Sequence, residues 1–407
     1  MMPKDWKVVS LGEICSNKLQ TGPFGSQLHS HEYVENGIPV LMPKDLIDYK
    51  ADLQSAAKIT EERAKDLSKH ILKNGDLLFS RRGDVARFAL IDEKSEGSIC
   101  GTGCLKARPN ENHSPKFLAY FLQKDGVKKW LEQNAVGQTM LNMNTEILKE
   151  LPLVSASSRR EEDKIAEILS TWDKAIETVE KLVANSQQQK KALMQQLLTG
   201  QKRLLDDNGV KFGDEWEKTN LKNLLKEEKA RNRDKAITRV LSVTNHSGFV
   251  LPENQFSKRV ASDEVSNYKV VKKGQFGYNP SRINVGSFAR LDDFDSGILS
   301  PMYVVFEIST PKLDSNFFNF WMQSHEAKQR INNSTQGSVR DSVGFDAMAS
   351  FPFKLPTIKE QEKIAQVLTL ADREIDLYQQ QLDKLKLEKK ALMQQLLTGQ
   401  KRVKVVA

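Results

Sequence analysis

Residues 190–203 read KKALMQQLLTGQKR, and residues 389–402 repeat the same fourteen letters without one change. The two blocks lie 199 positions apart, the difference between 389 and 190. Chance recurrence of so long a block is negligible, and a fixed internal period indicates a structural unit that occurs more than once. The chain is therefore expected to contain two copies of one unit, each ending in this block.

The similarity between the two copies extends upstream of the block and then fades. Residues 162–169 read EDKIAEIL, and residues 361–368 read QEKIAQVL at the same offset. The later part of each copy is therefore similar in sequence between the two copies, whereas the part before it differs. We therefore divide the chain into divergent domains at 1–155 and 200–355, conserved stretches at 156–199 and 356–398, and a C-terminal tail at 399–407.

Both conserved stretches have the heptad spacing of a coiled coil. In the first, apolar rows begin at Ile165 and Leu169 and recur every seven residues; in the second, they begin at Ile364 and Leu368. Two mostly apolar rows per heptad predict a coiled-coil seam. Each helix is expected to run about 40 residues, or roughly 60 Å at 1.5 Å per residue.

A lone coiled-coil helix cannot bury its own seam, so we expect the two helices to pair with each other. An antiparallel pair relates the two divergent domains by a pseudo-twofold axis. The tail at 399–407 then corresponds to the segment that follows the first helix and leads into the second domain. By this symmetry we expect the tail to pack beside the N-terminal domain, so that deleting it destabilises that domain.

The repeated block also carries an apolar pair on a neighbouring face of each helix, Met194 with Leu198 and Met393 with Leu397. Two interpretations remain open. The pairs widen the core stripe of each helix, or they form one docking surface on each copy for the same partner. Identity of the two blocks favours docking, because core packing tolerates exchanges among Leu, Ile and Met.

The two divergent domains have the mixed pattern of an α+β fold. Short apolar runs bounded by turn residues predict strands, and apolar spacing of three and four predicts helices. The predicted strands are 38–42, 76–80, 88–91, 239–243 and 303–306, and the predicted helices are 117–131 and 317–331.

Polar clusters in the predicted loops supply candidate contacts to DNA. Arg, Lys, Asn and Gln are the side chains that read base edges in the major groove, and Ser holds phosphates. The bland alternative is that loops are polar because they are solvated. The candidate residues are Lys44, Arg81, Arg82, Gln138 and Asn142 in the first domain, and Asn245, Asn279, Arg282, Ser338 and Arg340 in the second.

Composition agrees with a nucleic-acid partner. The net charge of +8 and the pI of about 9.1 favour polyanions over acidic partners. The three cysteines, Cys15, Cys100 and Cys104, are too few for a disulfide framework, which indicates a reducing cytoplasm. No second ligand pair accompanies Cys100 and Cys104, so no metal site is expected. No apolar run approaches a membrane span, and the start of the chain lacks a signal-peptide core.

Two divergent domains alternating with two conserved long helices resemble the specificity subunit of a type I restriction–modification system. The resemblance covers essentially the whole chain. Its motifs are GDLLFSRRG at 75–83, YNPSR at 278–282, KEQEKIAQVL at 359–368, and KKALMQQLLTG at 190–200 and 389–399.

The resemblance implies a fold and an assembly. Two α/β target recognition domains are separated by two long antiparallel coiled-coil helices, and each domain reads one half of an asymmetric, split sequence in double-stranded DNA. The helices act as a spacer and dock two modification subunits, which hold S-adenosylmethionine and methylate adenine at N6. Two restriction subunits, which are motor-nucleases, join in some systems. The chain itself is then expected to need no cofactor.

Catalytic motifs are not expected in this chain. The nearest matches to an adenine methyltransferase are Gly101-Thr102-Gly103 and Asn279-Pro280-Ser281, and neither fits the glycine turn or the [DNS]PP[YFW] loop. No GxxxxGK[ST] phosphate loop occurs. Two alternatives stay open: a nuclease with a divergent metal site, and a coiled-coil scaffold that binds DNA without base specificity and weakens uniformly with salt.

Overall fold

Two structural units make up the chain, and each combines one divergent domain with one end of each conserved stretch. The computed structural model describes residues 2–25, 27–137, 140–245, 247–252, 264–335 and 342–404. The first unit comprises residues 1–180 with 380–407, and the second comprises residues 181–379. The first unit is thus assembled from both ends of the sequence.

The divergent domain of the first unit mixes short strands with short helices. Its strands are β1 (Lys7–Ser10), β2 (Leu19–Thr21), β3 (Ile38–Leu41), β4 (Leu46–Ile47), β5 (Lys50–Ala51), β6 (Ala57–Ile59), β7 (Leu77–Ser80), β8 (Phe88–Leu90), β9 (Ile99–Cys100), β10 (Cys104–Ala107) and β11 (Pro152–Ser155). Its helices are α1 (Leu11–Ile14), α2 (Glu61–Asp66), α3 (Pro115–Leu122), α4 (Asp125–Asn134) and α5 (Thr145–Lys149), and the long helix α6 (Arg159–Leu197) follows.

A four-stranded antiparallel sheet in the order β2-β10-β7-β8 organises this domain. Every residue of β7 and β10 is buried, because one face of the sheet packs under α3 and the other against a second core around Leu41 and Leu72. Strands covered on both faces read as continuous apolar runs. That is why residues 76–80 were recognisable as a strand.

The second unit repeats this plan. Its strands are β12 (Glu217–Asn220), β13 (Leu225–Glu228), β14 (Ser242–Thr244), β15 (Gly248–Val250), β16 (Lys269–Lys272), β17 (Phe276–Tyr278), β18 (Phe288–Arg290), β19 (Ser296–Leu299), β20 (Val304–Ile308) and β21 (Pro352–Leu355). Its helices are α7 (Ser315–Gln323), α8 (His325–Thr335), α9 (Phe345–Ala349) and the long α10 (Ile358–Leu396). The main sheet has the order β13-β20-β17-β18, which matches β2-β10-β7-β8 strand for strand.

The predicted α+β class is confirmed, and the differences from prediction are local. Strands at 38–42, 76–80, 88–91 and 303–306 correspond to β3, β7, β8 and β20. The strand predicted at 239–243 instead begins at Ser242; before it, Val240 makes only an isolated bridge to Ile298 and the Arg239 guanidinium stacks on the Phe294 ring.

Each predicted helix of the divergent domains is a pair of helices. The helix predicted at 317–331 breaks at Ser324, whose backbone is extended and whose Oγ accepts the Ala327 N–H at 3.2 Å. A serine that caps the next helix in this way favours a new start over continuation. The helix predicted at 117–131 breaks at the equivalent place, between α3 and α4.

In the first unit, the start of α6 runs antiparallel to the end of α10. Asp173 pairs with Lys389 at 2.5 Å and Glu180 pairs with Lys386 at 2.8 Å, so residue numbers rise on one helix as they fall on the other. Ile165, Leu169 and Leu396 are fully buried or nearly so in the shared core. The predicted antiparallel seam is present in this unit.

In the second unit, the end of α6 runs against the start of α10 in the same way. Lys190 Nζ bonds to Asp372 Oδ1 and lies 5.5 Å from the centre of the Phe320 ring. Asp372 is the counterpart of Asp173 at the 199-residue offset, and Lys190 is the counterpart of Lys389. Lys190 continues the heptad row of Leu169, and Lys389 continues that of Leu368. Each of these lysines has an acidic partner on the opposite helix, which specifies register.

Candidate nucleic-acid interface

The loop after β7 in the first unit presents two of the predicted residues, Arg81 and Arg82. Its backbone is held from two sides. The Arg81 N–H donates to the Gly103 carbonyl at 2.8 Å, and the Arg81 carbonyl accepts the Met143 N–H at 2.8 Å. Two residues after Arg81, the Gly83 N–H donates to the Leu141 carbonyl at 3.0 Å. A loop anchored in this way holds its side chains in place without a partner.

Asn142 lies directly beside this loop, as a bridge partner of Arg82. Its Oδ1 is buried without a hydrogen-bond partner among the described residues, and so is Nε of Arg81. Buried polar atoms are normally paired. Arg82 is exposed. The structure thus brings three predicted residues of the first domain together.

Lys44 belongs to the same neighbourhood through its neighbour Pro43. The Pro43 carbonyl accepts from Arg87 at 3.2 Å, and a Cβ placed on Gly103 would lie 2.9 Å from the Pro43 ring. Gly103 in turn holds the Arg81 backbone. The Lys44 side chain is 67% exposed, and its Nζ donates to the Ser55 carbonyl at 3.3 Å. The same Nζ lies 4.0 Å from Oδ1 of the buried Asp45, so the ammonium group is at the surface beside one acidic partner.

The loop after β17 in the second unit is a tight turn built by Asn279. Its Oδ1 accepts the Ser281 N–H at 3.0 Å, and its carbonyl accepts the Arg282 N–H at 3.0 Å. Such Asx turns fix a loop locally. Arg282 is exposed, and none of the ion pairs recorded for the described residues involves it.

Asn245 reaches the same place from another hairpin. It lies in the turn between β14 and β15 and is exposed. A Cβ placed on Gly286 would lie 3.2 Å from Asn245 Cβ, and the Ser287 Oγ donates to the Val243 carbonyl at 2.8 Å. The hairpin turn and the Asn279–Arg282 loop therefore lie against each other.

Three predicted residues, Gln138, Ser338 and Arg340, lie outside the described residues. The structure does describe Met143 and Val343, which follow these segments, and the two residues occupy equivalent positions in the two units. Val343 donates its N–H to the Pro280 carbonyl at 3.0 Å, as Met143 does to Arg81. Each loop after the third strand of the main sheet is therefore backed by the same downstream segment.

A buried glutamate at the start of α6 anchors the end of α10 in the first unit. Arg402, the last residue of the repeated block, donates through Nε to Glu161 at 2.6 Å, and Trp6 Nε1 donates to the same carboxylate at 3.1 Å. Asp5 accepts two further bonds from Arg402, both at 2.9 Å. These contacts tie Arg402, which follows α10, to the N-terminal residue Asp5 and to the start of α6.

The second unit repeats this anchor around Glu360. Arg203, which closes the first block, donates to Glu360 through Nε and, at 2.7 Å, through Nη2. Trp216 Nε1 donates to the same carboxylate at 3.0 Å. Sequence reasoning missed both anchors. The available signal was an arginine at the end of each identical block and a tryptophan near the start of each domain.

Electrostatics favour the charged form of the first anchor. Burial alone raises the pKa of Glu161, but hydrogen bonds from Arg402, Ser157 and Trp6 outweigh it, so the pKa is lowered overall. The hydrogen bond to Glu161, with the hydrogen bond to Asp5, raises the pKa of Arg402. Glu161 is therefore an ionised, buried carboxylate at neutral pH.

The residues predicted to dock a partner lie in the cores instead. Leu198 is 3% exposed and belongs to the core of the second unit, and Leu397 is 0% exposed and belongs to that of the first. Met194 and Met393 are half-buried against the same cores. This corrects the docking interpretation of the two leucines, because a partner cannot reach them. The buried leucines of each block pack on an intramolecular surface of their own unit.

The described residues offer no candidate metal or membrane site. No group of three or more His, Cys, Asp and Glu side chains within them could hold a metal ion. Burial raises the pKa of the Cys15 and Cys100 thiols to about 12, which keeps them unreactive. In this part of the chain, no helix is long and apolar enough to cross a membrane.

Comparison with known proteins gives concordant results. The family model described as "Type I restriction modification DNA specificity domain" matches residues 3–185 and 214–387. A putative type I restriction enzyme MjaX specificity subunit of Methanocaldococcus jannaschii is 25% identical over 99% of this chain and 95% of its own length. The MjaVIII specificity subunit of the same organism is 23% identical over 99% of this chain and 94% of its own length.

Solved structures agree on the fold. The type I restriction–modification S subunit from M. genitalium superposes with a TM-score of 0.58 at 14% identity, over 98% of this chain and 97% of that one. The HsdS subunit from Thermoanaerobacter tengcongensis gives 0.50 at 15% identity, over 98% of each chain. The two family matches begin and end near the divergent domains and long helices described above.

Proposed function

The chain belongs to the type I restriction–modification DNA specificity family, and from that premise we propose that it reads an asymmetric, split sequence in double-stranded DNA. Each divergent domain reads one half-site. The observation that carries this proposal is the pair of loops after β7 and β17, which share their backbone anchoring but not their side chains. Two half-sites one helical turn apart lie roughly 34 Å from each other.

In the first domain, Arg81, Arg82, Asn142 and Lys44 are the proposed DNA contacts. Arg reads guanine O6 and N7, and Asn reads adenine N6 and N7. The backbone bridge between Arg82, which is exposed, and Asn142 supports this assignment, because it brings these two residues together. Exposed Lys44 suits a phosphate, which positions the protein without specifying sequence.

In the second domain, Asn245, Asn279 and Arg282 take the corresponding roles. Arg282 is exposed at the end of a turn that fixes its backbone, a geometry suited to a base edge. The predicted residues Gln138, Ser338 and Arg340 complete the proposed interface from the segments outside the described residues. Different side chains on one backbone frame suit two half-sites of different sequence.

As a family member the chain is a non-catalytic DNA-recognition subunit, and the chemistry resides in its partners. We propose that it assembles with two modification subunits, which hold S-adenosylmethionine and methylate adenine at N6. Two restriction subunits join where the host encodes them and cleave unmodified DNA. We propose that the assembly acts in the cytoplasm.

The decisive experiment maps N6-methyladenine across the genome of a methylation-free host. The host expresses this chain together with its neighbouring modification subunit, and a control host expresses the modification subunit alone. We expect methylation at one split motif that disappears in the control. Absence of methylation from a soluble complex contradicts the proposal and favours a scaffold without base specificity, which binds all sequences equally and weakens uniformly with salt.

A further inference from the structure

An exposed phenylalanine lies at the edge of the main sheet in the first unit, close to the loop that carries Arg81 and Arg82. Phe24 is 62% exposed, although phenylalanine is usually a core residue. Single exposed apolar side chains are common and need no special role. What distinguishes Phe24 is where its backbone lies and how firmly that backbone is held.

The position of Phe24 follows from the strand pairing. Strands β2 and β7 both pair antiparallel with β10, so they run in the same direction and end at the same edge of the sheet. At that edge the Gly22 N–H donates to the Cys104 carbonyl at 2.9 Å, and Cys104 lies opposite Ser80. Neighbouring strands are about 4.8 Å apart, so the loop after β2 and the loop after β7 begin roughly 10 Å from each other.

One turn supports both loops. The Cys104 N–H donates to the Gly101 carbonyl at 3.0 Å and closes a turn at the start of β10. A Cβ placed on Gly22 would lie 1.9 Å from the Gly101 carbonyl oxygen, so the backbone after β2 packs directly on this turn. The Gly103 carbonyl of the same turn accepts the Arg81 N–H at 2.8 Å. The turn therefore fixes the separation of the two loops.

The segment at residues 22–25, which we call the 22–25 loop, presents the Phe24 ring without covering it. Pro23 is buried beneath the tip. The Phe24 N–H donates to Gln27 Oε1 at 3.0 Å, and the Phe24 carbonyl accepts the Gln27 N–H at 2.8 Å. A Cβ placed on Gly25 would meet no described atom within 4 Å. The backbone of Phe24 is therefore anchored while its side chain faces open space.

The neighbours of Phe24 indicate which groove of DNA it would meet. Arg82 and Asn142 are the proposed contacts to base edges, and these side-chain types read bases in the major groove. That groove is about 12 Å wide, so a side chain that begins roughly 10 Å away reaches the same groove. The distinctive apolar group there is the C5-methyl of thymine, which phenylalanine contacts in other proteins. Apolar wedges between base steps are instead typical of minor-groove binders.

The second unit has no aromatic residue at the corresponding place. Strand β13 takes the position of β2, and the chain after it reads Lys229-Ala230-Arg231. There the Ala230 carbonyl accepts the Val270 N–H at 2.9 Å, and Arg231 forms a bridge with Lys269, so the backbone continues to pair. The exposed aromatic ring thus belongs to one unit, as expected of a side chain that reads only one of two different half-sites.

We propose that Phe24 is a specificity-determining residue that packs on the C5-methyl group of a thymine in the half-site of the first domain. This inference rests on the proposed function, since it names a base that the same interface reads. A site that is methylated at adenine contains A·T pairs, and each of these presents a thymine methyl group in the major groove.

Replacement of single thymines by deoxyuridine tests the proposal, because deoxyuridine lacks the methyl group and keeps the base-pairing groups. The full chain in complex with its modification subunit is titrated with duplexes that carry the split motif found by methylation mapping. Each thymine of both half-sites is replaced in turn. We expect the wild type to lose about fourfold in Kd at one position, the effect of one buried methyl group, in the half-site that Arg82→Ala affects.

Phe24→Ala should bind the unmodified duplex at least about fourfold more weakly and show no further loss with deoxyuridine at that position. Because the side chain is 62% exposed, the variant should fold, and an unchanged Tm confirms this. Val8→Ala is the matched control: Val8 is 64% exposed and lies in the separate β1-β11 sheet. It should bind as the wild type does, with the same sensitivity to deoxyuridine.

Three outcomes would overturn the proposal: a wild type that is indifferent to deoxyuridine at every position, an equal deoxyuridine penalty in the wild type and Phe24→Ala, or Phe24→Ala binding at wild-type affinity. The first of these, combined with weak binding by Phe24→Ala, would identify a wedge between base pairs or a contact without base specificity.

The same titration separates this inference from the proposed function. A wild-type complex that binds the split motif no more tightly than unrelated DNA, or that yields no motif, contradicts the proposed function, and the role of Phe24 fails with it. Discrimination of the motif with the deoxyuridine penalty unchanged in Phe24→Ala would leave the proposed function standing and overturn only the role of Phe24.

Discussion

The two anchors of this chain are alike, whereas its two candidate recognition loops are not. In both units an arginine that closes the repeated block and a tryptophan near the start of the domain bond to one buried glutamate. In the loops, Arg81-Arg82-Gly83 of the first unit corresponds to Pro280-Ser281-Arg282 of the second, so the side chains differ. The backbone contact is equivalent: the Arg81 carbonyl accepts the Met143 N–H, and the Pro280 carbonyl accepts the Val343 N–H. The hydrogen bonds that hold the backbone within each unit are thus repeated, whereas the exposed side chains of the two loops differ.

The largest expected effect concerns the leucines at the end of each block. Leu198→Ala and Leu397→Ala should each destabilise their own unit by about 2–5 kcal/mol, because each removes a buried side chain from a core. Chemical denaturation followed separately for each unit measures the loss. Leu387→Ala, at a position 69% exposed on α10, is the control and should change the free energy of unfolding by less than about 0.5 kcal/mol.

If the two leucine variants unfold like the wild type, the intramolecular explanation for the identical blocks fails. If only one variant lowers the free energy of unfolding of its unit, the two copies of the block do not contribute equally to the stability of the two units.

The loop comparison predicts effects that stay within one half-site. Arg282→Ala should reduce discrimination at the half-site of the second domain by roughly 1–3 kcal/mol and leave the first half-site intact. Arg82→Ala should do the converse. Competition binding with DNA altered in one half-site at a time measures both. Equal weakening on every sequence would move the arginine concerned from base reading to phosphate contact.

The anchor comparison predicts matched losses in the two units. Glu161→Gln and Glu360→Gln keep the shape of the side chain but remove the charge that receives the arginine. Glu161→Gln should cost about 1–2 kcal/mol, at the lower end for charged hydrogen bonds because Arg402 is 42% exposed. Glu360→Gln should cost at least as much, because Arg203 is only 17% exposed. Thermal unfolding of each unit is the measurement. A large loss for only one variant would break the equivalence of the anchors.

The smallest effect is the pH dependence of the first anchor. Because the folded state lowers the pKa of Glu161, its contribution is complete above the unfolded value of about 4.3 and is lost as pH falls through the lower folded value. The difference in Tm between the wild type and Glu161→Gln should therefore be constant near neutral pH and shrink below about pH 4. Calorimetry from pH 3 to pH 7 checks this, and a difference that grows in acid would contradict the assigned sign.

The structural features that could be predicted from the sequence were those marked by a short local run of residues or by a periodic pattern. The heptad rows at Ile165 and Leu169 mark a long helix, and the apolar run of β7 marks a buried strand. The break at Ser324 was missed because a capping serine within a helical pattern is a weak signal beside the apolar spacing around it. The 239–243 strand was misplaced because Val240 has strand propensity but only an isolated bridge to Ile298.

The anchors could not be predicted because their members are far apart in sequence. Arg402 meets Glu161 across 241 positions, and Trp6 meets it across 155. The arginine and the tryptophan recur in both copies, but nothing in the sequence around either one points to the glutamate that they share. Identity of the blocks was a real signal, but it was first attributed to a partner, whereas Leu198 and Leu397 show that each block fits a surface within its own chain.

Because the first unit contains residues from both ends of the sequence, it cannot be completed during most of translation. A ribosome that has made residue 180 must add two hundred more before residue 380 emerges, which takes roughly 10–40 s at 5–20 residues per second. Throughout that interval the surface that receives Leu396 and Leu397 stays open. The second unit is continuous and can close first. The first unit is therefore begun before the second unit and completed after it.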